Sequence, residues 1–295
     1  MTTLVVEALL FGGAPDPQFH LNATASLAAH KILTTERRCR TFAIGTRVLG
    51  FSGWRLTGSH ETVRGLPKFD ELIFGLSEFR ALPEGVRDHI TQEAMKISKM
   101  GCNNDHIDQP VVEEAPSSSY SYVEKDCTSD APIRGPDDPT RVHYDPSHDD
   151  DGCFVTEQYK NNCYNYGNDV ATNSFAQPGR GSGVCSHHTR PCVPNTCADV
   201  RRGAESDGLV WVGTDLPTSL PSVGHYVSLH IWPKSNFHWI RMDANLTWSH
   251  KPGGSPVRNH DNDGKVITDP GKSNFSPWTQ HCGYMLSMPS NVSLY

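Results

Sequence analysis

The chain has 295 residues, which is enough for two folded domains that each bury a core. Its formal net charge of −7 argues against nucleic acid as the main ligand, because phosphate binding needs clustered Lys and Arg. No run approaches the roughly 18 apolar residues that a membrane-spanning helix needs, so a membrane protein is not expected either.

Residues 1–101 are predicted to form an α+β region that serves in docking or assembly. Asn22 is the predicted cap of its first helix, and nothing in the region predicts a catalytic constellation. Apolar periodicity predicts helices at residues 21–33, 69–79 and 83–100, and a strand pair at residues 41–51.

The first eleven residues bear on the compartment. They contain an acid in a short apolar stretch and no basic residue, so they predict a first strand or helix and not a signal peptide. On that basis the chain is expected in a cytoplasm or a virion. Secretion stays open, because the nine cysteines would leave four disulfide pairs in an oxidising compartment if Cys163 is set aside.

Residues 102–152 are acidic and contain recurring Pro. They predict an extended linker that, together with the N-terminal region, contacts a protein partner. The linker ends in His148-Asp149-Asp150-Asp151. Consecutive oxygen ligands do not fit the alternate positions of a cation-binding loop, so this run is interpreted as a solvated turn and no metal site is predicted.

Residues 153–295 are predicted to form a second domain. A helix that begins near Cys163 precedes strands at residues 208–212, 226–232, 237–242 and 246–249. A helix followed by an antiparallel sheet is the pattern of an α+β fold.

A segment rich in cysteine lies between that helix and those strands. Cys185, Cys192 and Cys197, together with His187 and His188, offer enough ligands for zinc. The spacing lacks the tight Cys-x2-Cys pair of zinc fingers, and disulfides or unpaired thiols explain the cysteines equally well.

Cys163 and His238 are the residues that point to chemistry. Cys163 follows two Asn residues, which are cap formers, and a thiol at a helix N-terminus beside an imidazole has a lowered pKa. His238 stands at a strand entrance before a hairpin, and His225 is the reserve base. A hairpin turn of odd length would place His250 on the face of His238, where it can orient the ring. The alternative for Cys163 is a buried structural cysteine.

A helix-borne cysteine, a histidine at a strand start and a polar residue on the next strand resemble the papain-like group, including NlpC/P60-type amidases. The resemblance covers roughly the predicted second domain. It implies that Cys163 is the nucleophile, His238 the base and His250 the third member, with Asn259 or Asp261 as alternatives. The Asn-Cys-Tyr-Asn-Tyr and Trp-Ser-His-Lys-Pro-Gly segments are also similar to segments of certain bacterial and phage proteins.

The resemblance implies acyl transfer on a peptide or side-chain amide, with no cofactor. The Cys163 thiolate would attack the carbonyl, Gln158 would help to hold the oxyanion, and His238 would protonate the leaving amine. A second class of function stays open. It is a non-catalytic structural or interaction protein, such as a virion-surface or host-binding component, built on the papain-like scaffold.

Overall fold

The computed structural model describes residues 4–10, 12–14, 16–35, 40–41, 53–57, 62–100, 126–128, 131–146, 153–186, 189 and 191–295. The chain divides into two compact units. Unit 1 comprises Met1–Phe11 and Asp16–Glu113, and unit 2 comprises Gly12–Pro15 and Glu114–Tyr295. Helices and antiparallel strands occur in both units, so the predicted α+β class is confirmed.

Unit 1 contains an antiparallel sheet in the strand order β2-β1-β4-β5-β3. Its strands are β1 Leu4–Ala8, β2 Gln18–Leu21, β3 Arg40–Thr41, β4 Trp54–Leu56 and β5 Thr62–Val63. Its helices are α1 Ala23–Thr35, α2 Pro67–Phe74, α3 Ser77–Arg80 and α4 Glu84–Met100. The core includes the fully buried indole of Trp54, whose Nε1 donates to Asp70 Oδ1 at 2.8 Å.

Two of the three helices predicted in unit 1 are confirmed. The first begins after Asn22, whose Oδ1 accepts from the backbone N–H of Ala25 at 2.9 Å, and the last is α4. The helix predicted at residues 69–79 is instead two helices, because Gly75 ends α2 and Leu76 is extended. Most of the strand pair predicted at residues 41–51 lies outside the described residues.

Unit 2 is built on an antiparallel sheet in the order β11-β10-β9-β12-β8. These strands are β8 Val210–Gly213, β9 His225–Trp232, β10 Asn236–Met242, β11 Trp248–Ser249 and β12 Gln280–Ser287. A second, two-stranded sheet pairs β6 Ile133–Arg134 with β7 Val170–Ala171. The helices of unit 2 are α5 Cys153–Thr156, α6 Cys163–Gly167 and α7 Cys197–Ser206.

The four predicted strands correspond to β8 to β11, but β12 was not predicted. It lies between β9 and β8, so the sheet depends on it. Its sequence does not predict a strand, because Gln280-His281-Cys282-Gly283 is polar and a register shift falls between His281 and Gly283. A bulge of this kind disrupts the alternation by which strands are recognised.

The predicted division at residues 101 and 152 differs from the two units. The described part of the predicted linker belongs to unit 2: β6 pairs with β7, Cys127 forms a disulfide with Cys153, and Val142 is fully buried. Acidic composition suggested a solvated connection, whereas the few apolar residues and the cysteine in fact fix this segment to the domain.

Among the cysteines that the structure describes, six form three disulfides: Cys127–Cys153, Cys185–Cys192 and Cys197–Cys282. The zinc alternative is therefore wrong for Cys185, Cys192 and Cys197, because a disulfide sulfur is not a thiolate ligand. His187 and His188 lie outside the described residues. Across the part of the chain that the structure describes, no helix is long and apolar enough to cross a membrane.

Candidate functional site

Cys163 occupies the first position of α6, as the sequence predicts. The side-chain oxygen of Asn162 accepts from the backbone N–H groups of Tyr164 at 3.0 Å and Asn165 at 3.1 Å. Asn165 Oδ1 accepts in return from the N–H of Asn162, which completes a capping box. The helix ends at Gly167, because the chain leaves the helical conformation at Asp169, where φ is 54°.

The thiol of Cys163 is not activated. Its side chain is fully buried, and burial raises the pKa of the thiol to about 12. A hydrogen bond from the backbone of Trp239 and the positive charge of Lys251 lower the pKa, but they offset only part of the desolvation. The thiol is therefore protonated at neutral pH, whereas a cysteine nucleophile needs the thiolate.

The face of the sheet that α6 covers carries apolar side chains of β10. Phe237 and Trp239 share a core cluster with Cys163, and the ring centroids of Tyr164 and Trp239 are 5.3 Å apart. Successive residues of a strand point to opposite faces. His238 therefore points away from α6.

The ring of His238 makes its contacts on that opposite face. Its centroid lies 4.9 Å from the ring of His250, 6.1 Å from Phe275 and 5.9 Å from Trp278. The sheet separates this group from Cys163, so the structure does not form the nucleophile–base pair that the sequence predicts.

The reserve base, His225, is on the same face as α6 but at the other end of that helix. Its Nε2 lies 2.7 Å from the carbonyl oxygen of Gly167, the last residue of α6, whereas Cys163 is the first. Burial, and secondarily the charge of Arg241, lowers the pKa of His225 to about 3. His225 is a structural contact of the helix end and does not pair with the thiol.

The predicted oxyanion residue, Gln158, is engaged elsewhere. Its Nε2 donates to the carbonyl of Gly254 at 3.1 Å. The buried ammonium of Lys251 binds backbone near both of these residues. It donates to the carbonyl oxygens of Gln158 at 2.5 Å, Asn161 at 2.5 Å and Gly253 at 2.8 Å. Sequence analysis missed this role of Lys251, which joins two loops through backbone carbonyls.

The contact between His238 and His250, which the sequence made conditional on a turn of odd length, is present. Residues 243–247 form a turn of odd length, and His238 Nε2 lies 2.6 Å from His250 Nδ1. The pair extends a row across the sheet, in which His230 lies opposite both His238 on β10 and His281 on β12. His281 could not be placed in the row because β12 was not predicted, whereas His230 lies on the predicted strand β9 and was missed by the sequence analysis.

The row is a set of neutral imidazoles. Burial lowers the pKa of His230 to about 3, and His281 adds to this effect. Burial likewise places the pKa values of His238 and His250 well below their usual range, with further lowering by His230 and by Arg258, whose Nε lies 3.0 Å from His250 Nε2. Neutral rings can pack at these distances, whereas charged ones would repel each other and Arg258.

The asparagines around Cys163 form a second group, and these are fully hydrogen-bonded. Asn162 uses its oxygen for the helix cap, and its Nδ2 donates to the carbonyls of Gly13 and Ala176, both at 2.8 Å. Asn161 and Asn165 also each accept two hydrogen bonds and donate two. The Asn-Asn-Cys-Tyr-Asn motif thus holds surrounding backbone in place, and the density of Asn was the signal for it.

Within the described residues, no group of three or more His, Cys, Asp or Glu side chains is arranged to hold a metal ion. The candidate residues belong to two arrangements, an amide network on one face of the sheet and a row of neutral histidines on the other.

Neither a family model nor a solved structure matches the chain. Among curated proteins, it is 36% identical over 128 residues to insoluble matrix shell protein 1 of Ruditapes philippinarum. The aligned part is 43% of this chain and 80% of that protein. The chain belongs to the family of insoluble matrix shell protein 1. The name of that relative describes a structural protein, and more than half of this family member lies outside the alignment.

Alkylation tests whether the thiol of this family member is inert. We expect iodoacetamide at pH 8 to leave Cys163 unmodified in the native protein, because the sulfur is buried and its pKa is raised to about 12. The modification should become complete in denaturant. Peptide mapping by mass spectrometry measures it at this residue, and native labelling as fast as that of free glutathione would contradict the prediction.

Stability should fall in mild acid because of the histidine row. The unfolded chain binds a proton at His230 near pH 6.5, whereas the folded chain does not until about pH 3. Stability is therefore full above pH 6.5 and is lost as the pH falls towards 3, by up to about 1.4 kcal/mol per pH unit for each such histidine.

Urea unfolding of His230→Gln between pH 7 and pH 5 measures this contribution. The free energy of unfolding of this variant should decline less than that of the unchanged protein. The control variant His30→Gln, changed at an exposed position on α1, should decline as much as the unchanged protein. Equal declines in all three proteins would show that the row does not titrate as described.

Asn162→Ala should destabilise far more than the loss of an ordinary helix cap. Asn22→Ala is the matched control, because Asn22 caps α1 at an exposed position, where such a loss costs about 1 kcal/mol. Asn162→Ala also removes one of the two side-chain donors to each of the buried carbonyls of Gly13 and Ala176, to which Gln177 Nε2 also donates, and this adds about 0.5–1.5 kcal/mol each. Denaturant unfolding measures the loss of stability in both variants. Equal losses would show that Asn162 contributes no more than an ordinary helix cap.

Proposed function

We propose that this protein is a non-catalytic structural component of an extracellular matrix. The observation that carries the proposal is its membership in the family of insoluble matrix shell protein 1. The match covers 80% of that relative and is therefore more than a short shared motif. This extent is the reason for proposing the same structural role.

The cysteines support an extracellular location. Three disulfides persist only where the environment is oxidising, and such bonds are rare in cytosolic proteins. They also suit a structural protein, because cross-links that close long loops stabilise the folded chain. Cys197–Cys282, which spans 85 residues, is the longest of the three.

The geometry of the candidate residues supports the absence of catalysis. Cys163 is buried and protonated, and His238 lies across the sheet from it. A thiol hydrolase needs its base within hydrogen-bonding distance of the nucleophile. The papain-like scaffold stays a prediction, supported by a helix that begins at the cysteine and packs on an antiparallel sheet.

Fractionation of the source tissue tests the proposed role. An antibody against the protein should detect it in the extracellular material that remains insoluble after detergent extraction. Denaturant together with a reducing agent should release it, because disulfides and packing hold its fold. Detection only in the soluble cell lysate, with the cysteines of the three disulfides reduced, would contradict the proposal.

A hydrolysis assay separates the two classes of function. The purified protein and its Cys163→Ser variant should show the same background rate on a panel of peptide and amide substrates. Serine is nearly isosteric with cysteine, so the fold is retained while the thiol is removed. A rate that depends on Cys163 would overturn the non-catalytic assignment.

A further inference from the structure

Unit 2 contains a slot that holds a short backbone segment from far away in the sequence. The occupant is Gly12–Ala14, whereas the rest of the described unit begins beyond residue 125. Gly12 and Gly13 are buried in it. The residues on either side of the occupant, up to Phe11 and from Asp16, are assigned to unit 1.

The slot recognises peptide backbone. The carbonyl oxygen of Gly13 accepts from Asn162 Nδ2 at 2.8 Å and from Gln177 Nε2 at 3.0 Å. The N–H of Gly13 donates to the carbonyl of Phe237 at 2.9 Å. The next N–H, of Ala14, donates to the side-chain oxygen of Asn236 at 2.7 Å, so four hydrogen bonds hold two adjacent residues.

The slot also selects glycine, by close approach. A methyl group added at Gly13 would overlap the ring of Phe237, and one added at Gly12 would overlap Asn236 and lie 2.6 Å from Trp278 Cζ2. These neighbours are buried, so they have little room to move. The slot therefore requires two adjacent glycines.

The polar groups of the slot are costly to leave empty. Asn162, Gln177 and Asn236 are nearly or fully buried, and a buried amide without a partner costs about 1–3 kcal/mol. The sequence contains a second Gly-Gly pair, Gly253-Gly254, but it is fixed in another turn, where Gly253 has a φ of 47°. The segment at residues 12–14 is thus the chain's own ligand for the slot.

We propose that the slot is a Gly-Gly-Ala recognition site that also takes Gly12–Ala14 from a second copy of this chain, so that copies join by exchange. Each copy carries one slot and one matching segment. Exchange keeps all four hydrogen bonds and the glycine fit. Such an exchange would link copies of the chain in a matrix. The evidence for the exchange is the geometry of the slot and not the family membership.

Two full-length variants test the exchange. Gly13→Ala keeps the slot but blocks the segment, because the added methyl group meets the Phe237 ring. Gln177→Glu keeps the segment but spoils the slot, because it replaces the donor to the Gly13 carbonyl with an acceptor of the same shape. Neither variant can exchange with itself, whereas the first can accept the segment of the second.

Each variant alone should therefore be monomeric in native mass spectrometry, and their mixture should contain a one-to-one heterodimer. Mixing at about 100 μM is suitable, because the segments of these variants no longer compete in cis at millimolar effective concentration. Circular dichroism checks that both are folded. A mixture of folded variants that stays monomeric overturns the exchange, whether or not the protein proves to be a matrix component.

A peptide experiment covers the case in which a variant does not fold. A fluorescent peptide of residues 9–17 should bind the Gly13→Ala chain at least about tenfold more tightly than it binds the unchanged chain, whose slot is filled in cis. The same peptide with Val in place of Gly13 should not bind. If Gly13→Ala is unfolded, the unchanged chain refolded from denaturant at high concentration should yield dimers, and monomers alone overturn the proposal.

Discussion

The four hydrogen bonds of the Asn162 carboxamide are the interaction on which unit 2 depends. Its oxygen caps α6, and its nitrogen binds the carbonyls of Gly13 and Ala176, so one side chain fixes a helix start and two distant segments. A buried amide must satisfy each of these groups or lose stability. This demand sets the position of α6, and with it the burial of Cys163 beneath the sheet.

The alternation of side chains along β10 then separates the two groups that sequence order brought together. Phe237 and Trp239 face α6 because they complete its apolar core, so His238 must face the other way. There it joins a row of neutral imidazoles covered by Phe275 and Trp278. The protein has the residue types of a thiol hydrolase, but its packing places Cys163 and His238 on opposite faces of the sheet.

Several further features of unit 2 stabilise its fold. Disulfides close loops of 26, 7 and 85 residues, Lys251 joins loops through carbonyl groups, and the asparagines around α6 are saturated with hydrogen bonds. The Gly12–Ala14 slot, which we propose also accepts the segment of a second copy, likewise binds backbone through buried amides.

The sequence by itself determined the α+β class, the helix start at Cys163 with its asparagine cap and four strands of the unit 2 sheet. Local signals carry each of these: cap residues and apolar periodicity. The contact of His238 with His250 depended on the hairpin register, which the structure decided. Tertiary structure alone decided the place of β12, whose bulge breaks the alternation, and the inclusion of the acidic segment in unit 2. It also decided that Cys163 and His238 lie on opposite faces, because that depends on which side of β10 the helix covers. Nothing local in the sequence records that choice, which follows from the packing of Phe237 and Trp239 against α6.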